Sequence, residues 1–188
     1  AEMFEQSEIY LQNYISTHPN LGKERAVVTI PIVVHLIYNP DSINHQLSDW
    51  QITSQIDVLN EDFRKLNSNF SSTPSVFQGV AADMEFEFCL ASVDPNGNPT
   101  SGITRTATTV SSFIDDDAVK FNSSGGENAW PASQYLNIWV ADLGNSLLGY
   151  AQLPGDAAST DGVVLHYISI GRPPANPFNN AFNLGRTA

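Results

Sequence analysis

The sequence is poor in the residues that build metal and redox sites. Its 188 residues contain one cysteine, Cys89, and four histidines. A single cysteine excludes a disulfide framework within the chain and any zinc site with several thiolate ligands. Neither His35 nor His166 has a second ligand residue at the short spacing typical of one helix or hairpin. We therefore expect ordinary packed or surface histidines.

Positive charge is also scarce. Eight Lys and Arg residues stand against 20 Asp and Glu, which gives a formal net charge of −12. Phosphate binding needs a basic face, so a nucleic-acid partner is not expected. No apolar run approaches the roughly 20 residues of a membrane-spanning helix, so no membrane partner is expected either. Residues 1–5 lack the basic and apolar regions of a signal peptide, which indicates either an intracellular protein or numbering that begins after processing.

Apolar periodicity predicts two helices. Residues 2–17 form a moderately amphipathic pattern that ends at His18-Pro19. The stronger pattern runs from Ser48 to Leu66, where Ser48 is a good N-cap and Gln51 completes a capping box. Its single apolar stripe consists of Ile52, Ile56, Leu59, Phe63 and Leu66.

Strand patterns account for most of the remaining chain. They cover Val27–Tyr38, Met84–Val93, Gly102–Thr108, Tyr135–Leu143, Leu147–Leu153 and Gly162–Tyr167. The first is apolar on both faces, and its Pro31 favours an early or edge position. A strand, a long helix and then several strands predict an α/β or α+β domain with a mixed sheet.

Three groups of residues are candidates for chemistry. Asp115–Asp117 suit calcium by their carboxylate oxygens, although the run lacks the spacing of an EF-hand loop and is better explained as a solvated helix N-terminus. Asp156 and Asp161 flank a loop with a similar, weaker pattern. Cys89 lies between Phe88 and Leu90 with no base nearby, which predicts a buried, inert thiol. Residue chemistry alone therefore indicates no assembled active site.

Several segments, taken in order, carry a family resemblance. They are Ile30–His35, Leu47–Arg64, Phe86–Ala91, Asp94–Pro99, Gly102–Thr106, Ala129–Pro131, Tyr135–Val140, Leu147–Gly155, Asp161–Val164 and Asn183–Ala188. Together they resemble the pappalysin-type metzincin zinc metallopeptidases, the cytophagalysin and ulilysin branch, over about residues 28–188. No single segment is diagnostic, but their joint order is specific.

The resemblance implies a fold and a domain division. Residues 28–188 would form the N-terminal, upper subdomain of a metzincin-like catalytic domain, a twisted mixed β-sheet with backing helices. Residues 1–27 would form a helical arm or the remnant of a pro-segment. The parent would be a secreted zinc metalloendopeptidase.

The resemblance also implies where the catalytic centre lies. In the family, the segment corresponding to Asn183–Ala188 leads directly into the helix H-E-x-x-H-x-x-G-x-x-H, which carries the zinc ligands and the general base. The chain would thus be the part before that helix, so we expect it to bind no zinc and to be inactive alone.

The resemblance places the substrate site on an edge strand. In the family this strand binds an extended peptide in antiparallel fashion, and here it corresponds to Leu147–Leu153. The expected substrate-binding residues are Leu148, Gly149, Tyr150, Ala151 and Gln152. An exposed edge offers unpaired backbone donors and acceptors, and the small Gly149 and Ala151 would let a peptide backbone approach. The alternative is an ordinary internal strand.

Two other functions stay open. The chain could be a non-catalytic module that captures or inhibits peptides through the same edge strand. It could also be a structural domain stabilised by calcium at Asp115–Asp117 or the Asp156–Asp161 loop.

Overall fold

Six strands form one mixed sheet in the computed structural model, which describes residues 2–18 and 26–186. The strands are β1 (Val28–Tyr38), β2 (Phe86–Leu90), β3 (Ile103–Ala107), β4 (Leu136–Ala141), β5 (Gly149–Ala151) and β6 (Val163–His166). The helices are α1 (Glu2–Thr17), α2 (Asp49–Phe63) and α3 (Ser75–Gln78). The predicted mixed sheet with backing helices is confirmed. In the described ranges, no helix combines the length and apolarity needed to cross a membrane.

The long strand β1 organises the sheet. The strand order is β2-β1-β4-β6-β5, and β3 pairs with the second half of β1 beyond the end of β2. All pairs are parallel except β5 with β6. Pro31 lies early in β1, as predicted, although β1 is a central strand. Its nitrogen faces the side of β4, whose pairing begins only at Ile32, so no ladder donor is lost there.

Both faces of the sheet are covered. On one face, α2 packs its apolar stripe against side chains of β1, β4 and β6, including Ile32, Val34, Ile138 and Leu165. On the other face, Trp139 and Val164 form a second cluster with residues of the loops around Phe113 and Val119. This double coverage explains the continuous apolar runs of β1 and β4.

The helix α2 begins as predicted but ends earlier. The Ser48 side chain accepts a hydrogen bond from the Gln51 backbone N–H at 3.2 Å. The Gln51 side chain does not close a capping box, because it donates instead to the Ile170 carbonyl at 3.0 Å. Leu66 lies beyond the helix and is exposed, so its assignment to the apolar stripe is wrong. The chain turns away at Lys65, whose φ is 56°.

The prediction of a buried Cys89 is also wrong. Cys89 is exposed on the outer strand β2. Side chains alternate along a strand, and α2 covers only the face of β2 that carries Phe86, Phe88 and Leu90. Cys89 points to the opposite, uncovered face.

Candidate functional site

The strand β5 is the outermost strand on its side of the sheet. It pairs with β6 in the register Gly149↔Leu165, Tyr150↔Val164 and Ala151↔Val163. The His166 N–H donates to the Leu148 carbonyl at 2.8 Å, and the Gln152 N–H donates to the Gly162 carbonyl at 3.4 Å. Leu147–Leu153 is therefore no internal strand.

The register separates the predicted site residues into two sets. In an antiparallel pair, hydrogen-bonded and non-hydrogen-bonded positions alternate. Leu148, Tyr150 and Gln152 direct their backbone groups toward β6. Gly149 and Ala151 direct their N–H and C=O groups to the outer side of the sheet, so these two residues offer the groups that an added strand would pair with.

The opposite outer strand is closed by a side chain. Asn60 of α2 donates from Nδ2 to the Phe88 carbonyl at 2.9 Å and accepts from the Phe88 N–H at 2.7 Å. The amide thus occupies both outward groups of Phe88, as a neighbouring strand would. No corresponding side chain in the described residues bonds to the backbone of Gly149 or Ala151. Of the three outer strands β2, β3 and β5, the strands β2 and β5 therefore differ in their capacity to accept another strand.

Gly149 is required by the sheet itself. A Cβ atom at this position would lie 2.6 Å from the Val164 carbonyl oxygen and 3.1 Å from Leu165 Cδ2. The sequence argument assigned its small size to the approach of a ligand. The structure shows that close packing against β6 already demands a glycine.

The side chains of Tyr150 and Gln152 are engaged within the protein. Tyr150 packs into the second core cluster, and its hydroxyl oxygen is buried with no hydrogen-bond partner among the described residues. Burial, with nearby Asp117, raises its pKa well above the ordinary tyrosine value. Gln152 accepts a hydrogen bond from the Thr160 hydroxyl and donates to the Ala157 carbonyl at 3.1 Å. Both side chains hold β5 in place.

A cavity of about 450 Å³ lies beside β5, and three of the five acidic residues singled out from the sequence line it, whereas Asp161 lies at another cavity. Asp115, Asp117 and Asp156 line the cavity beside β5, together with Lys120. The Lys120 ammonium group is buried, 2.7 Å from Asp117 Oδ1 and 2.7 Å from the Thr160 carbonyl oxygen. Asp116 accepts from the Ala118 N–H at 3.1 Å. The 3₁₀ turn Ala118–Lys120 follows Asp117, whose φ is 63° and whose side chain does not cap the turn.

His35 is packed in the core, as predicted. Its ring nitrogens lie 2.9 Å from Thr104 Oγ1 and 3.0 Å from Asn137 Oδ1. Asn137 in turn exchanges hydrogen bonds with the backbone of Trp130 at 2.8 and 3.0 Å. Burial lowers the pKa of His35, and the Asn137 hydrogen bond opposes this only in part. The network fixes the loop before β4 and contains no reactive group.

Two other histidines meet across the sheet, which the sequence argument missed. His45 Nε2 lies 3.2 Å from Asp142 Oδ2, and His166 Nε2 lies 3.6 Å from Asp142 Oδ1. The Tyr167 ring contacts both imidazoles, with centroid distances of 4.7 and 4.6 Å. Ligand spacing along the chain could not reveal this cluster, because the turn after β1, the residue after β4 and the last residue of β6 come together only when these strands lie side by side.

Within residues 2–18 and 26–186, no three His, Cys, Asp or Glu side chains are arranged to hold a metal ion. The described residues therefore do not fit a catalytic zinc site, nor do they support the calcium alternative.

The helix α1 lies against the loop that follows β5. The Ser7 hydroxyl donates to the Pro154 carbonyl at 3.2 Å, and the Tyr10 ring lies over Gly155. Its apolar side chains remain exposed: Phe4, Ile9, Tyr10, Leu11, Tyr14 and Ile15. The predicted break at residues 19–22 lies outside the described residues.

A buried polar row on α2 holds the end of the described chain. Gln55 donates to the Gly185 carbonyl at 2.7 Å and accepts from the Gly171 N–H at 2.9 Å. The guanidinium of Arg172 forms a bidentate pair with Glu61 at 2.5 and 2.7 Å, and Arg186 pairs with Asp62 at 2.9 Å. The segment that follows β6 thus has a defined path across α2.

Comparison with known proteins gives solved structures only. No family model and no curated protein matches the chain. Mature mirolysin of Tannerella forsythia with a cleaved peptide is 48% identical, with a TM-score of 0.82, and the match covers 87% of this chain and 61% of that one. Mirolysin in complex with compound 9 is also 48% identical, with a TM-score of 0.81 and coverage of 87% and 60%. A promirolysin mutant of the same organism is 45% identical, with a TM-score of 0.87 and coverage of 97% and 59%. The chain therefore spans about 60% of the length of these structures.

Proposed function

The chain belongs to the family of mirolysin, the pappalysin-type metallopeptidases, and we propose that it forms the peptide-binding part of a zinc endopeptidase acting outside the cell. In this proposal, β5 binds an extended peptide as an additional antiparallel strand. The observation that carries the proposal is the pair of outward-facing residues, Gly149 and Ala151, on an outer strand that no side chain of residues 2–18 or 26–186 closes.

The register defines what the peptide contacts. Gly149 and Ala151 lie two residues apart, so their N–H and C=O groups would pair with alternate residues of the peptide. Leu148, Tyr150 and Gln152 would not contact the peptide backbone directly. They hold β5 in the sheet, because their backbone groups and the side chains of Tyr150 and Gln152 bind β6 and its neighbouring loops. Recognition through backbone groups alone tolerates many peptide sequences. A cleaved peptide is present in one mirolysin structure, which supports this class of ligand.

The zinc chemistry is proposed for the parent protein. The described residues do not assemble a ligand set, so no hydrolytic step is assigned to them. Their contribution is to orient the peptide and to fix the segment Asn183–Arg186 against α2 through Gln55 and Asp62. We expect the 188-residue chain to lack both stoichiometric zinc and chelator-sensitive cleavage of casein.

Residues 1–27 are proposed to be a pro-segment or its remnant. The promirolysin match covers 97% of the chain, whereas the mature mirolysin match covers 87%, and α1 contacts the loop directly after β5. An arm at this place would hinder a peptide that extends along β5.

Backbone-directed binding can be tested with N-methylated peptides. Titration of the chain with an extended peptide should raise its free energy of unfolding, by about 2.7 kcal/mol at a hundredfold excess over Kd. N-methylation of the alternate residues that face β5 should abolish binding, because each methyl group removes a donor. The matched control is N-methylation of the intervening residues, which should preserve binding.

Equal binding of both methylated peptides would contradict the edge-strand mode. If the product of the full gene bound peptide but did not cleave it, the non-catalytic module would replace the peptidase.

A further inference from the structure

We propose that His45, Asp142 and His166 position the edge strand β5 and make its attachment to the sheet dependent on pH. Three elements supply this cluster. The short 3₁₀ turn Ile43–His45 presents one imidazole, the residue after β4 presents the carboxylate, and the last residue of β6 presents the second imidazole. The carboxylate is shared, with His45 Nε2 at 3.2 Å and His166 Nε2 at 3.6 Å.

The hydrogen bonds of His166 define its protonation. The Ile168 backbone N–H donates to His166 Nδ1 at 3.3 Å, so Nδ1 carries a lone pair and no proton. The proton of the neutral ring therefore lies on Nε2 and faces Asp142. A second proton can bind only at Nδ1. It would turn Nδ1 from a hydrogen-bond acceptor into a donor, and the hydrogen bond from the Ile168 N–H would break.

The turn that this bond stabilises is also the attachment of β5. The His166 N–H donates to the Leu148 carbonyl at 2.8 Å, and the Ser169 hydroxyl approaches the same oxygen at 3.3 Å. Ser169 is itself held by the His166 carbonyl, through its N–H at 3.0 Å and its hydroxyl at 2.9 Å. Leu148 leads directly into β5, which has only three residues. At the other end of β5, the hydrogen bond from the Gln152 N–H to the Gly162 carbonyl is long, at 3.4 Å. Loss of the turn would therefore loosen β5.

The charges around His166 set the direction of the effect. Burial lowers its pKa, the carboxylate of Asp142 opposes this shift, and the neighbouring His45 adds to it. Among the described residues, Tyr167 is the other titratable group that contacts the cluster. Burial and the carboxylate of Asp142 raise the pKa of Tyr167. The loop beyond Tyr167 contributes Phe178, which is uncharged. The pKa of His166 is lower in the ordered turn than in the opened turn, where the ring is exposed to water. His166 therefore binds a proton more readily when the turn is open. Acid therefore favours opening, starting below a pH of about 6.5.

The substitution His166→Asn separates titration from structure. An asparagine oxygen accepts from the N–H two residues later as Nδ1 does, so the bond to Ile168 is kept while the titratable ring is removed. Amide hydrogen exchange and imidazole NMR signals of the 188-residue chain are measured from pH 7.5 to pH 5. In the wild type, the opening constant at Tyr150, corrected for intrinsic exchange, should rise by up to about tenfold per pH unit as His166 titrates. In His166→Asn it should stay constant.

Two further variants test the role of the neighbours. Asp142→Asn should move the His166 titration to lower pH, and His45→Gln should move it to higher pH, with the opening of β5 following each shift. The proposal is overturned if Tyr150 exchange has the same pH dependence in wild type and His166→Asn, if neutral His166 carries its proton on Nδ1, or if the two neighbours leave the titration unchanged.

The consequence for ligands rests on the proposed peptide-binding role of β5, which predicts weaker peptide binding in acid. The two ideas fail separately. Absence of peptide binding at every pH would refute the peptide-binding role, while the coupling between His166 and Tyr150 would still be measured without peptide.

Discussion

At the scale of single residues, Gly149 connects the sheet to the proposed ligand site. The family resemblance placed it in an edge strand, and its small size suggested room for a peptide backbone. The contact with the Val164 carbonyl, which makes a glycine necessary, arises from β5–β6 pairing and cannot be read from neighbouring residues. The same limit applies to His166, because its partners His45 and Asp142 are distant in sequence.

We predict that Gly149→Ala lowers the free energy of unfolding by about 1–3 kcal/mol, because its Cβ would meet backbone at 2.6 Å. Peptide affinity should fall in parallel, since β5 must move outward. Urea denaturation and a peptide titration measure the two effects. Gly79→Ala is the matched control, because no atom lies within 4 Å of the added Cβ; a change within about 0.5 kcal/mol is expected there. Equal stability of both variants would refute the steric argument.

At the scale of elements, local patterns were sufficient for most strands and helices. Alternation predicted β2, and the Ser48 cap predicted the start of α2, because these signals depend on adjacent residues. Which strand lies at an open edge depends on pairing order. The sequence therefore could not show that Asn60 closes β2 while β5 stays open.

We predict that Asn60→Ala exposes the outward groups of Phe88 and costs about 1–3 kcal/mol of stability. It should also promote association through β2, because an unpaired edge recruits other strands. Urea denaturation and size-exclusion chromatography measure these changes. Asn60→Asp is the control, since it retains the acceptor for the Phe88 N–H and loses only the donor. A monomeric Asn60→Ala protein of unchanged stability would disprove the closing role.

Deletion of residues 1–27 should strengthen peptide binding, if these residues act as a pro-segment. One hydrogen bond, such as Ser7 to Pro154, is worth about 1 kcal/mol, or about fivefold in Kd. Ser7→Ala should give part of this gain, whereas Gln12→Ala should give none, because Gln12 bonds only within α1. An unchanged Kd after deletion would assign the arm to the mature domain.

At the scale of the whole molecule, buried imidazoles link stability to pH. Burial lowers the pKa of both His35 and His166. The unfolded chain therefore binds more protons than the folded chain below a pH of about 6.5, and the free energy of unfolding falls as pH decreases. The slope is at most about 1.4 kcal/mol per pH unit for each histidine. At lower pH, protonation of Glu61, whose pKa Arg172 lowers, adds a further loss.

Urea denaturation between pH 8 and pH 5 measures this slope. His35→Gln should flatten it, since one of the two titrating imidazoles is removed. A slope equal to that of the wild type would show that His35 keeps its protonation state on unfolding. Neighbouring residues could not reveal the burial of His35, because it depends on packing against Thr104, Asn137, Trp130 and Trp139.

The polar row on α2 has a consequence for mutational tolerance. Gln51, Ser54 and Gln55 bind backbone groups of Ile170, Gly171, Arg172 and Gly185, not their side chains. The path of residues 170–185 is thus encoded in a helix more than a hundred positions upstream. A saturation scan should find Gly171 and Gly185 intolerant of substitution, because both have positive φ and an added Cβ would press against α2. The buried or core-packed side chains of the segment, Ile170, Asn176 and Phe178, should be intolerant too, whereas its exposed side chains should be replaceable. Drift in the segment is then limited both by its contacts with α2 and by its own core residues.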